Sequence, residues 1–172
     1  MEVHVNGAPP SRRDRLRQPG AAYLLSQVGA HSSRRWHERL LPLGLDPRQV
    51  VVLRMVAAEQ GRTQRSLGPA LQVPDSRIVP LIDGLEERRL LQRRPKPDDR
   101  RAHALHLTAA GQAMLSKVMA LSEEHESAVT EGLTESQRAT LIELLNTVAR
   151  RQGLAQGGHP GMTNRNKQPR ER

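Results

Sequence analysis

Seven basic side chains fall within fourteen residues of this 172-residue chain: Arg88, Arg89, Arg93, Arg94, Lys96, Arg100 and Arg101, with only Asp98 and Asp99 as acids among them. Guanidinium and ammonium groups at that density form an electrostatic footprint for phosphate, set against the plainer reading of a solvated charged hairpin. Other polar clusters offer less chemistry. Asp98 and Asp99 are adjacent on a turn beside arginines, a poor setting for the shifted pKa values that acid–base catalysis requires. His31 and His37 are six apart, and His103 and His106 point to opposite faces of a strand, so neither spacing makes a ligand pair by itself. Glu123, Glu124, His125 and Glu126 would need a distant histidine to hold a metal, and a solvated acidic face is the simpler reading. With neither a phosphate-cradling glycine loop nor a nucleophile motif, no enzymatic activity, cofactor or metal is expected.

The basic run must be carried by something. Leu90 and Leu91 precede it, Pro95 and Pro97 interrupt it, and Ala104, Leu105, His106 and Leu107 alternate after it. That pattern predicts a two-stranded hairpin with an extended cationic tip. Just before it, Ile78, Leu81, Ile82 and Leu85 recur at i, i+3, i+4 and i+7, the buried stripe of a helix. Turning that stripe inward turns Ser76, Pro80, Asp83 and Glu87 outward and leaves Arg77 and Gly84 on the flank. Ser76, Arg77 and Pro80 then lie at the N-terminal end, where free backbone N–H groups favour phosphate. A helix beside a basic ribbon matches duplex DNA, one element in the major groove and the other along the backbone and minor groove. Single strands and RNA are gripped by stacking on aromatic rings, and a chain with one Trp, one Tyr and no Phe lacks those platforms.

The remaining segments read as helices. Leu24, Val28, Trp36 and Leu40 define one from Tyr23 to Leu41, ended by Pro42 and Gly44. Asp46 and Pro47 open a second, with Val50, Leu53 and Ala57 inward and Gly61 closing it. Thr63 starts a short third element that Gly68 and Pro69 weaken as a helix. After the hairpin, Thr108 caps a long helix carrying Met114, Leu115, Val118, Met119, Ala128 and Val129. Thr134 with Gln137 forms a capping box for a last helix, with Leu141, Leu144, Leu145 and Val148 inward. The terminal helices carry more apolar surface than a small winged domain can cover, and a two-fold dimer would bury it.

Lys and Arg number 27 against 18 Asp and Glu, a formal charge of +9. Much of the excess sits at the ends, in a proline-containing arm at 1–20 and a Gly-, Asn-, Gln- and Arg-rich tail at 153–172. The absence of Cys excludes disulfides, thiol catalysis and Cys-ligated zinc. No run approaches membrane-spanning length and the start lacks an apolar leader region, so a cytoplasmic location is expected.

The segments TQRSLGPALQVPDSRIVPLIDGLEERRLLQRR and PDDRRAHALHLTAAG resemble the MarR family of winged helix-turn-helix transcriptional regulators, over about residues 23–150. The second is the more specific, with its D-R-R wing, alternating apolar residues and L-T-x-x-G. The resemblance implies a mainly α fold with a small β-hairpin wing, and an organisation into five parts. These are a flexible basic arm (1–20), an N-terminal dimerisation helix (21–45), a winged helix-turn-helix region (46–108), C-terminal dimerisation helices (109–152) and a flexible basic tail (153–172). It implies DNA contacts from Ser76, Arg77 and Pro80 on the recognition helix and from Arg94, Lys96, Arg100 and Arg101 on the wing. Arg101 matches the arginine that enters the minor groove, and Asp99 the acid that steadies the wing. It also implies a homodimer, a palindromic double-stranded operator, a repressor role and a small aromatic or acidic effector; Tyr23, Trp36 and His37 are candidate pocket residues, with core or dimer interface the plainer reading of Trp36 on its apolar stripe. A dimeric interaction protein that keeps the winged fold without specific DNA binding is the alternative. Three departures stand out. Gln72 replaces the usual turn glycine, Pro74 replaces the usual serine cap so that Asp75 is expected to cap the recognition helix, and Pro80 offers only apolar contact. Pro69 is expected to distort the third helix.

Overall fold

The computed structural model describes residues 19–154 apart from 72, 97 and 98, and only the backbone of 96 and 99–102. Almost all of both expected arms, and Asp98, therefore lie outside the described residues. The order is α1 (Ala21–Leu40), a 3-10 turn (Leu41–Leu43), α2 (Pro47–Ala58), α3 (Gln64–Leu71), α4 (Asp75–Glu87), β1 (Leu91–Lys96), β2 (Asp99–Leu107), α5 (Ala109–Val129) and α6 (Glu135–Arg151). This is the mainly helical fold with a two-stranded antiparallel wing that the sequence predicts.

Local chemistry explains most boundaries. Asp46 caps α2 by accepting from Arg48 N at 2.7 Å, while Gln49 reaches back to Asp46 N at 3.1 Å, with Pro47 at the first helical position. Thr134 and Gln137 close the same reciprocal pair at the start of α6, at 3.3 and 2.9 Å. The recognition helix differs from expectation. Pro74 occupies the cap position of α4 in extended backbone, and no side chain caps the helix. Asp75 instead stands in the first turn, where its charge suits the positive end of the helix dipole.

The expected disruption at Pro69 does not break α3, which runs through it with the exposed ring on the outside. Gly68 has a steric task there. A Cβ on it would lie 2.9 Å from the Val73 carbonyl and 2.7 Å from Asp75 Oδ1, so only glycine lets the turn fold this tightly against α3. Val73 N donates to the Gly68 carbonyl at 2.9 Å and closes that turn.

The wing pairs Leu91 with Leu107, Gln92 with His106, Arg93 with Leu105, Arg94 with Ala104 and Pro95 with His103. Beyond Pro95 the register shifts, so Lys96 faces Asp99, and Arg100 and Arg101 fall in the irregular part of the ladder. The other edge of β2 is partly paired too. Gly61 N donates to Leu105 O and Leu105 N to Arg62 O, each at 2.9 Å, and Thr63 bridges to Ala104. The α2–α3 connection thus acts as a short third strand that blunts the free edge.

The L-T-x-x-G stretch ties the wing to α5. The Thr108 hydroxyl donates to the Arg89 carbonyl at 2.6 Å and accepts from Gly111 N at 3.0 Å. A Cβ on Gly111 would come within 1.9 Å of the Leu90 carbonyl. The motif is therefore a joint: a cap that also binds the preceding strand, followed by a helix turn in direct contact with it.

One core, built from Leu40, Leu45, Val50, Val52, Leu53, Val56, Leu67, Leu71, Ile78, Ile82, Leu85, Leu91 and Leu105, fills the space among α2, α3, α4 and the wing. Of the flanking helices, α1 gives it Leu40 and α5 gives it Val118, with Trp36, Met114 and Leu115 packed against it, while α6 buries none of its residues. On α1 the stripe divides, with Leu40 buried, Trp36 half-buried, and Leu24 and Val28 exposed. The inward placement expected on α6 does not hold within one chain, because Leu141, Leu144, Leu145 and Val148 are all exposed, Leu144 by 60%. No described helix is long and apolar enough to cross a membrane.

Candidate nucleic-acid interface

The first two turns of α4 present Ser76 and Pro80 to solvent and hold Arg77 half-buried on the flank. The buried stripe Ile78, Leu81, Ile82 and Leu85 fixes that orientation, as the i, i+3, i+4, i+7 spacing requires. Arg77, Pro80 and Leu81 line a groove whose far wall is Arg48, at the start of α2. Sequence reasoning missed Arg48. Its place directly after Asp46-Pro47, exposed in the first turn of a helix, was the available signal. Its guanidinium binds both Asp46 oxygens at 2.8 Å, and that bonding holds its pKa above the ordinary value despite partial burial.

The seven-membered basic cluster divides into members with different tasks. Arg88 folds away from the wing and donates to the carbonyls of Gly44 and Leu43 at 2.6 and 2.7 Å, pinning the α1–α2 corner to the end of α4. Arg89 takes the left-handed conformation (φ 56°) that ends α4, its N–H bonding Glu86 O while Leu90 N bonds Leu85 O. Arg93 turns onto α4, donating to Asp83 at 2.5 Å, to Glu86, and to Gln64 of α3 at 3.2 Å. Burial opposes its charge, and the hydrogen bonds to Asp83 and Glu86 outweigh that and raise its pKa. Arg93 is thus paired with the protein's own carboxylates, whereas Arg88, exposed and bound to neutral carbonyls, keeps its net positive charge at the root of the wing.

Arg94, the next residue along β1, is exposed, as strand alternation demands of a neighbour to an inward Arg93. Lys96, Asp99, Arg100 and Arg101 sit on the strands beside the tip, and their side chains lie outside the described residues. The structure thus brings Ser76, Arg77 and Pro80 together on α4 and places Arg94 on the adjoining strand.

The three residues named for an effector pocket are spread along α1. Tyr23 is 58% exposed with its hydroxyl accepting from Gln27 Nε2 at 2.8 Å, His37 is exposed, and Trp36 leans on the core and on the His125 ring, 5.4 Å between centroids. A groove of about 370 Å³ between α1 and α5 is lined by other residues, including Gln27, His31, Arg35 and His125. His125, within the acidic patch, faces α1 and meets Ser32 Oγ at 3.0 Å through Nε2. Burial lowers its pKa, and Arg39 and Arg35 push the same way against Glu126.

Comparison with known proteins agrees with this geometry. Residues 45–111 match the model of a winged helix DNA-binding domain. A putative transcriptional regulatory protein for the hcr operon of Thauera aromatica is 32% identical over 107 residues, 62% of this chain and 64% of the relative, so the match spans somewhat under two thirds of that protein. The transcriptional repressor CouR, solved bound to a 23-mer DNA duplex, is 31% identical with a TM-score of 0.70, covering 83% of this chain and 100% of that one. MarR from E. coli, solved as a mutant complexed with operator DNA, is 26% identical with a TM-score of 0.65, covering 74% of this chain and 91% of that one.

Proposed function

We propose that this chain, which belongs to the MarR family of winged helix-turn-helix transcriptional regulators, works as a homodimeric, effector-responsive repressor of a palindromic operator. The observation that carries the reading is the joint placement of the α4 N-terminus and the Arg-bearing wing on one compact core. Ser76, Arg77 and Pro80 would enter the major groove, Pro80 by apolar contact such as a thymine methyl. Arg94, Lys96 and Arg100 would meet phosphates, and Arg101 the minor groove, whose narrow A·T-rich form attracts a cation. Asp99 would steady the wing.

The exposed apolar faces of α1 and α6 supply the reason for a dimer. Leu24 and Val28 on α1, and Leu141, Leu144, Leu145 and Val148 on α6, are large apolar side chains left exposed in helical rows, the kind of surface a partner covers. A two-fold pair would set two recognition helices about 34–36 Å apart, one turn of DNA. An effector acts by binding better to a dimer whose helices are wrongly spaced, and it weakens DNA binding by that difference in affinity. Two solved relatives, CouR and MarR of E. coli, have DNA in their structures, which supports the same use here.

Footprinting on the DNA flanking the chain's own coding region tests the reading. Protection of two half-sites, with affinity falling steeply as salt rises, is the expected result. Arg101→Ala should weaken that binding by about 1–3 kcal/mol while the dimer stays folded. Unchanged affinity in that variant would reject the wing assignment. Absence of salt-dependent duplex binding by the intact protein would favour an interaction protein that keeps the fold.

A further inference from the structure

We infer that Arg93 is a positioning residue for the wing: by bridging Asp83 and Glu86 of α4 and Gln64 of α3, it sets the ribbon against the recognition helix. The inference deepens the DNA-binding reading and rests on it for its effect on affinity. By composition alone Arg93 belongs with the cations of the wing, yet its surroundings assign it elsewhere. Its side chain is only 22% exposed. One guanidinium nitrogen donates to Glu86, and the other is shared between Asp83 at 2.5 Å and Gln64 at 3.2 Å. The backbone N–H of Arg93 also donates to Glu86 at 3.1 Å, so Glu86 grips strand and side chain together. Three elements meet at this one planar group, whose fork of donors fits two carboxylates at once in a way a lysine ammonium does not.

Charge gives a second reason. Asp83 and Glu86 are 46% and 37% exposed on the helix proposed to enter the groove. Two bare carboxylates there would repel phosphate, and Arg93 offsets them from the protein side. Arg94, one residue on and exposed, is left to make the contact with DNA. Neighbouring arginines on one strand thus divide the work, one holding the geometry and the other meeting the ligand.

Salt dependence separates these roles, because removing a cation that touches phosphate lowers the slope of log affinity against log salt by about one. The probe is the duplex flanking the chain's own coding region, with the full-length protein. Arg93→Ala should lower affinity about tenfold with the slope unchanged, whereas Arg94→Ala should reduce the slope by about one. Asp83→Asn should raise affinity more in the Arg93→Ala background than in the wild type, because only there is its charge unmatched, and equal gains in both backgrounds would count against the bridge. Hydrogen exchange in the absence of DNA gives a readout independent of function: the amide at position 93, which donates to Glu86, should exchange about tenfold faster in Arg93→Ala. A slope reduced by one together with unchanged exchange would overturn the inference. If the wild type bound no duplex, the DNA reading would fail, and exchange would still decide the bridge: faster wing exchange supports it, unchanged exchange overturns it.

Discussion

The winged unit and the terminal helices use apolar residues at similar helical spacing, yet one region is satisfied within a single chain and the other is not. Ile78, Leu81, Ile82 and Leu85 on α4 are buried against α2, α3 and the wing. Leu141, Leu144, Leu145 and Val148 on α6 repeat the pattern and remain exposed. The difference teaches that periodicity reports which face seeks cover, and not who supplies it. In the winged unit the cover comes from elements close in sequence; at the ends no described residue supplies it, and the proposed two-fold partner is what would cover it.

Matched truncations would break that comparison most sharply. Ile82→Ala should cost about 2–5 kcal/mol in unfolding free energy, as large-to-small changes in packed cores do, and chemical denaturation measures it. Leu144→Ala should barely change the stability of the single chain and should raise the dimer dissociation constant. A Leu144→Ala loss equal to that of Ile82→Ala in dilute monomer would mean that α6 is packed within its own chain. A charge in place of the same side chain, Leu144→Glu, should shift the protein toward monomer in sedimentation velocity and weaken duplex binding with it. Undisturbed dimers in that variant would move the interface elsewhere.

Gly111→Ala tests the joint between the two regions. The new Cβ would meet the Leu90 carbonyl, and the strain should lower stability by about 1–3 kcal/mol. Gln112→Ala, at the exposed position one residue later in α5, would not reproduce it.

The smallest effect concerns His125, which links α1 to α5. Burial depresses its pKa, so the unfolded chain takes up the proton first, near the ordinary value of about 6.5. The contribution is complete above that value and is lost as pH falls toward the lower folded pKa. Thermal unfolding from pH 7.5 to 5 should therefore show a small loss of stability that flattens in His125→Asn. An identical pH profile in both proteins would show that the ring does not sense its surroundings.

Much of this was legible in the sequence. The α4 stripe, the hairpin and the Asp46 and Thr134 capping boxes all rest on local rules, and local rules survive folding. What was not legible depends on long-range partners. Nothing in the run of arginines distinguishes Arg88 and Arg93 from Arg94, because the distinction is made by carbonyls 44 and 45 residues away for Arg88 and by carboxylates on a packed helix for Arg93. Pro74 displaced the expected Asp75 cap for a different reason: the chain enters α4 in extended backbone one residue earlier, at a ring with no acceptor. Pro69 was tolerated because a helix of eight residues has few ladder bonds to lose, and Gly68 beside it is there for the turn. Arg48 carries no local mark of its own, because Asp46 and Pro47 signal the start of α2, and only the fold sets Arg48 beside Arg77 and Pro80 along one groove.

The contact between Gly111 and the Leu90 carbonyl has a mechanical corollary. With no slack at that contact, the first turn of the 21-residue α5 and the root of the ribbon hold one fixed angle, and the ties of β2 to Arg62 and of Arg93 to α4 brace the same root from its other sides.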